Sequence, residues 1–127
     1  MANDRMYQFR YSYEAQVVDI YMNVSFGAAG APTLTTKENY GVTGITKTGT
    51  GAYTIALKSK FNRLMKFDSV FLNATAPAAP GFYVVADNSG AASPNIQIQF
   101  VNAAGTATNP GSGEVGLFQV TLKNSSI

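Results

Sequence analysis

The chain has 127 residues and contains no cysteine, no histidine and no tryptophan. Its length suits one domain with a sizeable core. The missing Cys and His exclude disulfides, Ser-His-Asp and Cys-His catalytic sites and the usual zinc ligands. Nine Lys and Arg against seven Asp and Glu give a net charge of +2, far from that of a typical nucleic-acid-binding domain. Charged residues make up 13% and apolar residues 46%, a composition that disfavours disorder.

The amino terminus and the hydropathy of the chain bear on membrane targeting. No apolar run approaches the roughly 18 residues of a membrane span, so we expect no transmembrane helix. The first ten residues carry Asp4, Arg5 and Arg10 and no apolar h-region, so we expect no signal peptide. These features predict synthesis in a cytoplasm and no membrane partner.

The first two predicted strands come before any glycine, and both show alternation of apolar and polar residues. The first, within about residues 1–13, places one row of aromatic residues on one face: Tyr7, Phe9, Tyr11 and Tyr13. The second gives the strongest strand signal of the chain, with an apolar face made by Val18, Ile20, Met22, Val24 and Phe26. Glycine and proline in residues 27–32 then predict a loop.

A tight hairpin is predicted next, with arms at residues 44–48 and 52–58. Gly49 and Gly51 flank its tip and would supply positive φ at the turn, while Tyr53, Ile55 and Leu57 would fill the core. In residues 60–66, the spacing of Phe61, Leu64 and Met65 is that of one helical turn, which makes this segment ambiguous.

The rest of the chain again has the pattern of strands and turns. Val70, Leu72 and Ala74 alternate, and residues 82–85 are apolar on both faces, which predicts a central strand. Alternation over residues 96–100 and 116–122 predicts two more strands, separated by a long flexible tip at residues 105–113. About eight strands without crossover helices predict an all-β, antiparallel, jelly-roll-like β-sandwich. We expect one domain over residues 1–127, with an N-terminal strand at about residues 1–13.

No motif in the chain predicts catalysis, a cofactor or a metal ion. The seven carboxylates show no paired spacing, although the fold could still bring two together. Residues 41–48 superficially resemble a phosphate-binding loop, but Thr46 rather than Gly precedes Lys47 and a hairpin turn follows. Asp87 begins an Asp-Asn-Ser-Gly sequence that is typical of a turn, with calcium binding as the less favoured interpretation. We therefore expect a protein that is not an enzyme and holds no cofactor.

Positive charge is concentrated in one short part of the chain. Five of the nine cations lie within residues 47–66, which contain no acid: Lys47, Lys58, Lys60, Arg63 and Lys66. They indicate either an ordinary solvated surface or a patch that docks an acidic protein surface. Nucleic acid is disfavoured because only Phe61 and Phe67 are interleaved with them.

The N-terminal aromatic row also has two interpretations. Four aromatic residues in seven positions are typical of the inner face of a first strand, which would make them core residues. The same density suits a subunit or capsid interface, because Tyr combines a large contact area with a polar hydroxyl. A carbohydrate-stacking platform is less favoured, since the row lies near the chain terminus.

The segment from Gly44 to Leu57, followed by Phe61 and Leu64-Met65, resembles a hairpin pattern of small tailed-phage virion proteins. Head decoration (cement) proteins are among them, and related hairpins are found in trimeric jelly-roll heads of phage fibres and in C1q-like domains. The specific part covers about twenty residues, and the rest of the chain agrees only in length and composition. The chain has no repetitive shaft segment, which favours a decoration protein over a fibre.

This resemblance implies a jelly-roll-like protein on the outside of the virion that clamps subunits of the major capsid protein. Its mechanism would be non-catalytic, because buried interface stabilises the assembled shell. The resemblance also implies a homo-oligomer, with a trimer favoured over a dimer. The alternative is a carbohydrate- or receptor-binding module of a phage fibre or tail, with sites in the loops of residues 87–94 and 103–113.

Overall fold

A computed structural model describes residues 17–34, 41–72 and 76–123. In this part of the chain two four-stranded sheets are formed, and every paired strand is antiparallel. The strands are β1 (Val17–Phe26), β2 (Pro32–Leu34), β3 (Val42–Gly49), β4 (Ala52–Leu57), β5 (Arg63–Leu72), β6 (Gly81–Asn88), β7 (Asn95–Val101) and β8 (Val115–Lys123). The first sheet has the order β2-β1-β8-β5 and the second the order β3-β4-β7-β6.

The predicted all-β, antiparallel β-sandwich is confirmed. The predicted strand at about residues 1–13 lies outside the described residues. Strand β8 returns along β1 over nine residue pairs, and β7 returns along β4. The chain crosses between the sheets after β2, β4, β5 and β7, so that late strands lie beside early ones. Such non-local pairing buries a core between two sheets and gives each strand one inner and one outer face.

The core is a cluster of aromatic and branched side chains contributed by both sheets. Phe26 lies at its centre, with ring centroids 5.5 Å from Tyr53 and 6.0 Å from Phe100. The predicted inward rows of β1, β4, β7 and β8 are buried except for Val18, which is partly buried and packs against the core. These rows could be predicted because their apolar residues recur at every second position, which places them on one face of the strand. That face lies inward because its apolar side chains gain free energy when they leave water.

The β3–β4 hairpin forms as predicted, but its two glycines differ. Gly51 has φ +69°, and an added Cβ would lie 2.5 Å from the Thr108 carbonyl oxygen. Its amide also donates a hydrogen bond to Asn109 Oδ1 at 2.8 Å. Gly49 belongs to β3 and pairs with Ala52, so only Gly51 supplies the positive φ that the turn requires.

The helical interpretation of residues 60–66 is wrong, because β5 begins at Arg63. A bulge places Met65 as an extra residue between the pairs formed by Leu64 and Lys66 with β8. Leu64 and Phe67 therefore both pack against the core, although they are three residues apart. Apolar residues three positions apart are also typical of a helical turn, which is why the sequence left this segment ambiguous.

The bulge also affects which residues face inward in the rest of β5. Phe67 and Phe71 point inward, with ring centroids 5.6 Å from Phe118 and 5.7 Å from Phe100, respectively. The alternating residues Val70 and Leu72 consequently lie on the outer face, where 61% and 55% of their surface is exposed. The alternation of Val70, Leu72 and Ala74 identified a strand here, and the structure shows that Val70 and Leu72 lie on its outer face.

Two further predictions need correction. Strand β6 lies at an edge of its sheet rather than in the centre, and Tyr83 and Val85 on its outer side are more than half exposed. The predicted loop at residues 27–32 is shorter, because Pro32 begins β2 and pairs with Phe26. Proline is tolerated there since β2 is an edge strand.

The connection between β7 and β8 packs against the sandwich, in contrast to the flexible tip predicted at residues 105–113. Pro110 is fully buried, and Ala107 forms a bridge with Val101. Glu114 is buried, and its Oε2 accepts a hydrogen bond from the Ala78 amide at 3.1 Å. These contacts join the connections that precede β6 and β8 at one end of the sandwich.

Candidate protein-docking face

The outer face of the β2-β1-β8-β5 sheet carries four exposed apolar side chains, which we call the apolar face: Tyr21, Val70, Leu72 and Leu117. Tyr21 comes from β1, Leu117 from β8 and the other two from β5. Leu117 pairs directly with Val70, and the neighbouring pair of β8 and β5 joins Val115 to Leu72. The register thus places apolar side chains next to one another across adjacent strands.

A shallow depression of about 430 Å³ lies within this face. Tyr21, Val70 and Leu117 line it together with the polar residues Asp68 and Gln119. Of the apolar lining, Tyr21 is 57% exposed and Leu117 is 37% exposed. An apolar surface of this kind can gain free energy by transfer from water into contact with another molecule.

Polar interactions border the apolar face on the side toward Arg63 and Lys123. Lys66 Nζ lies 3.1 Å from Asp68 Oδ2. Gln119 Nε2 donates a long hydrogen bond of 3.4 Å to the Tyr21 hydroxyl oxygen, and the Thr121 hydroxyl donates to Asp19 at 2.6 Å. Apolar side chains beside exposed polar groups are found in many protein–protein interfaces.

No protein-family model, curated protein or solved structure matches this chain. Among residues 17–34, 41–72 and 76–123, no helix is long and apolar enough to cross a membrane. The same residues contain no group of three or more Asp or Glu side chains that could hold a metal ion.

The five cations predicted as a docking patch do not all lie together. Lys58 and Lys60 lie in the connection from β4 to β5, and Arg63 begins β5, so these three share one end of the sandwich. Lys47 pairs with Tyr53 near the hairpin turn, toward the opposite end. Lys66 lies further along β5, where its ammonium group pairs with Asp68.

Lys123 joins the three cations at this end, because it pairs with Arg63 in the register of β8 and β5. We call the group of Lys58, Lys60, Arg63 and Lys123 the basic end. Lys123 is sixty residues from Arg63 in the chain, so a count of local charge could not associate the two. Alternation of the last strand was the available signal, because it predicted that Lys123 lies on the polar face of β8.

Asp87 is the acid that organises the basic end. Its Oδ2 accepts a hydrogen bond from the Leu64 amide at 2.8 Å, and its Oδ1 accepts one from the Ser89 amide at 3.0 Å. Partial burial by itself raises the pKa of Asp87, but these hydrogen bonds and the nearby Arg63 charge outweigh burial and lower it. Both carboxylate oxygens of Asp87 therefore accept hydrogen bonds from backbone amides near the start of β5 and the end of β6. This favours the turn interpretation over a calcium ligand.

The two loops considered for carbohydrate or receptor binding lie at opposite ends of β7. Residues 87–94 precede its first residue, Asn95, and residues 103–113 follow its last residue, Val101. Phe61 contacts the first loop through a hydrogen bond to the Ser89 carbonyl oxygen, and Gly51 contacts the second through Asn109. The two loops would therefore be separate sites rather than walls of one pocket.

The aromatic row of Tyr7, Phe9, Tyr11 and Tyr13 lies outside the described residues. The apolar face, by contrast, was missed by sequence reasoning. Tyr21 and Leu117 occupy positions on the polar faces of strongly alternating strands. Large apolar residues that interrupt a polar face were the signal that could have identified both.

Proposed function

We propose that this protein is a non-enzymatic structural component of a virion that binds another protein through its apolar face. The observation that carries the proposal is the adjacency of Tyr21, Val70, Leu72 and Leu117 on one outer sheet surface. More than a third of the surface of each of these side chains lies in water and makes no contact within the described residues. Covering them with a partner would release that water and supply the free energy of docking.

The proposed partner is the major capsid protein on the outer surface of a tailed-phage head. Support comes from the resemblance of the hairpin segment from Gly44 to Leu57 to those of head decoration proteins. The segment forms the β3–β4 hairpin in the opposite sheet, which leaves the apolar face available for contact. A protein that binds assembled shells more tightly than free subunits stabilises the shell by mass action.

The basic end suggests how the first encounter would be steered. Lys58 and Lys60 are exposed in one connection, and Arg63 lies at the adjoining start of β5. Charges at the rim of an interface affect the association rate more than the final affinity. We therefore assign docking free energy to the apolar face and orientation to the basic end.

The test uses phage heads from which this protein has been removed. Purified protein is added back, and binding is measured by co-sedimentation for the Val70→Asp variant and for the Val85→Asp variant. The two valines are 61% and 56% exposed but lie on opposite sheets, so each variant adds one charge to an exposed strand. We expect Val70→Asp to weaken binding by at least tenfold, about 1.4 kcal/mol, and Val85→Asp to bind as the parent does.

Equal binding by both variants would show that the apolar face does not dock. The cement role is tested separately by heating particles with and without bound protein. Unchanged release of DNA from the stripped particles would contradict it. The proposed trimer is measured by sedimentation equilibrium of the purified protein.

A further inference from the structure

The outer face of the β3-β4-β7-β6 sheet has no charged side chain on any of its four strands. Lys47 and Asp87 are the charged residues of these strands, and they pair with the buried Tyr53 and Ile96, respectively. Residues that pair across strands share one side of a sheet, so both charges lie on the side of the core. We propose that the uncharged outer face binds a neutral polysaccharide.

Hydroxyl and amide side chains form a row across this face. Thr46 pairs with Thr54, Thr54 pairs with Gln97, and Gln97 pairs with Ala86, so the row crosses all four strands. Three strand spacings, roughly 14 Å, separate its two ends. The side chains of Thr46, Thr54 and Gln97 make no hydrogen bond within the part of the chain that the structure describes. Their polar groups are therefore available to sugar hydroxyls, which can both donate and accept.

A second row places an aromatic ring beside the polar one. Tyr83 of β6 pairs with Gln99 of β7, which in turn pairs with Ala52 of β4. The Tyr83 side chain is exposed and has no ring contact with another aromatic residue among those described. An exposed tyrosine offers a flat apolar ring to the C–H face of a sugar and a hydroxyl at its rim. Tyr83 and the polar row thus supply both kinds of contact that a neutral sugar requires.

Gln99 is held in place before any ligand binds. Its Nε2 donates hydrogen bonds to the carbonyl oxygens of Thr50 and Phe100 at 2.9 and 2.8 Å. These bonds tie the side chain to the β3–β4 turn and leave its Oε1 without a donor from residues 17–34, 41–72 and 76–123. An acceptor fixed beside Tyr83 loses little side-chain entropy when it binds a sugar hydroxyl.

The lack of charge distinguishes between classes of ligand. Nucleic acids and acidic polysaccharides are bound through Lys and Arg, which the outward positions of these strands do not provide. The centre of a protein interface is enriched in large apolar side chains. The outward residues of the two central strands are instead small or carry a hydroxyl or amide group: Ala52, Thr54, Ala56, Asn95, Gln97 and Gln99. A neutral polysaccharide matches this composition best.

This face and the apolar face lie on opposite sheets, so a polysaccharide would not compete with the proposed capsid partner. Affinity electrophoresis of the purified protein tests the proposal without phage heads, which makes its outcome independent of capsid docking. The probes are native gels that contain dextran, laminarin, galactomannan or arabinoxylan. We expect at least one of these neutral polysaccharides to retard the parent protein. Retardation by none of the four would overturn the proposal.

Two matched pairs of variants locate the binding face. Tyr83→Ala is compared with Tyr21→Ala, because the two tyrosines are 55% and 57% exposed but lie on opposite sheets. Gln97→Ala is compared with Gln119→Ala, because both glutamines are half-buried on the outer faces of their sheets. We expect Tyr83→Ala and Gln97→Ala each to weaken binding by roughly tenfold or more, and the two controls to bind as the parent does.

Thermal unfolding and sedimentation complete the test. All four side chains lie on outer sheet faces, so the variants should unfold at a Tm close to that of the parent. An equal effect on polysaccharide binding within either pair would contradict the assignment of the face. A change of sedimentation coefficient in Tyr83→Ala, with polysaccharide binding unaffected, would show that the face contacts a second copy of the chain instead.

Discussion

The Tyr53 hydroxyl donates a 2.6 Å hydrogen bond to the carbonyl oxygen of Gly30, joining a core strand of one sheet to the turn after β1 of the other. Both groups are buried, so this bond takes the place of the hydrogen bonds that the hydroxyl and the carbonyl oxygen would otherwise make with water. Gly30 has φ +74°, and an added Cβ would lie 2.6 Å from that hydroxyl oxygen. The contact therefore requires a glycine on one side and a tyrosine on the other.

Removal of this hydroxyl should destabilise the fold. Tyr53→Phe leaves the Gly30 carbonyl oxygen without this donor, so we expect the free energy of unfolding to fall by about 1–2 kcal/mol. Chemical denaturation measures the change. Tyr83→Phe is the matched control because the Tyr83 side chain is exposed, and it should leave stability unchanged. An equal effect of the two substitutions would contradict the role of the buried bond.

The same residue predicts a pH dependence at alkaline pH. Burial raises the pKa of Tyr53 to about 12, above the value of about 10 expected in the unfolded chain. The resulting stabilisation is complete below pH 10 and is lost as the pH rises toward 12. The stability difference between the parent and Tyr53→Phe should therefore shrink over this range in denaturation curves. A constant difference would show that Tyr53 does not titrate with folding.

Gly51 should tolerate no side chain. Its positive φ alone makes Gly51→Ala unfavourable by roughly 1–2 kcal/mol. The added Cβ would also approach the Thr108 and Phe100 carbonyl oxygens at 2.5 and 2.6 Å, so the total loss should be larger. Gly44→Ala is the control, since an added Cβ there meets nothing within 4 Å. Thermal unfolding should show a much lower Tm for Gly51→Ala than for Gly44→Ala.

Asp87 should stabilise the fold only while it is ionised. Its lowered pKa means that this contribution is present above the ordinary carboxyl pKa and is lost as the pH falls below it. We expect Asp87→Asn to reduce stability near neutral pH by up to about 1 kcal/mol and to weaken the acid dependence of unfolding. Acid titration monitored by circular dichroism measures this. Asp68→Asn, which disrupts a mainly exposed ion pair, should have a smaller effect.

The basic end should affect docking rates in a salt-dependent way. We expect Lys58→Glu and Lys60→Glu to slow association with stripped phage heads, and the difference from the parent should narrow as salt is added. Lys47→Glu makes the same charge change near the hairpin turn, away from the basic end, and should slow association less. Binding kinetics at two ionic strengths distinguish the cases. If all three variants associate as fast as the parent protein, these cations only keep the surface solvated and do not steer docking.

The sequence predicted most strands because their buried rows alternate without interruption. In β1 and β8 the inward residues are apolar at every second position, and all except the partly buried Val18 are buried, so pattern and structure agree. In β5 a single bulged residue, Met65, shifted the alternation and made the segment resemble a helical turn. Periodicity fails at such a point because the extra residue is accommodated by the partner strand, which local sequence does not identify.

The apolar face was less predictable than the fold. Val70 and Leu72 alternate in the sequence, but alternation alone did not show which face of the strand they occupy. Phe67 and Phe71 take the inner positions of β5 and leave both residues exposed. Of the cations, Lys58, Lys60 and Arg63 lie together, whereas Lys47 lies toward the other end and Lys123 joins from the last strand. Strand register decides these neighbours, and register depends on contacts between distant parts of the chain.

The sequence by itself determined the fold class, because period-two alternation and frequent turn residues allow little except antiparallel strands. Its lack of Cys and His also excluded disulfides and whole classes of catalytic and metal sites from the outset. Only the tertiary structure decided which sides of these strands meet and which remain in water. Tyr21, Val70 and Leu117 become one surface through the pairing of β1, β8 and β5, whose residues are up to about one hundred positions apart. Composition gives the number of apolar side chains, but the sheet register determines which of them lie exposed on one surface.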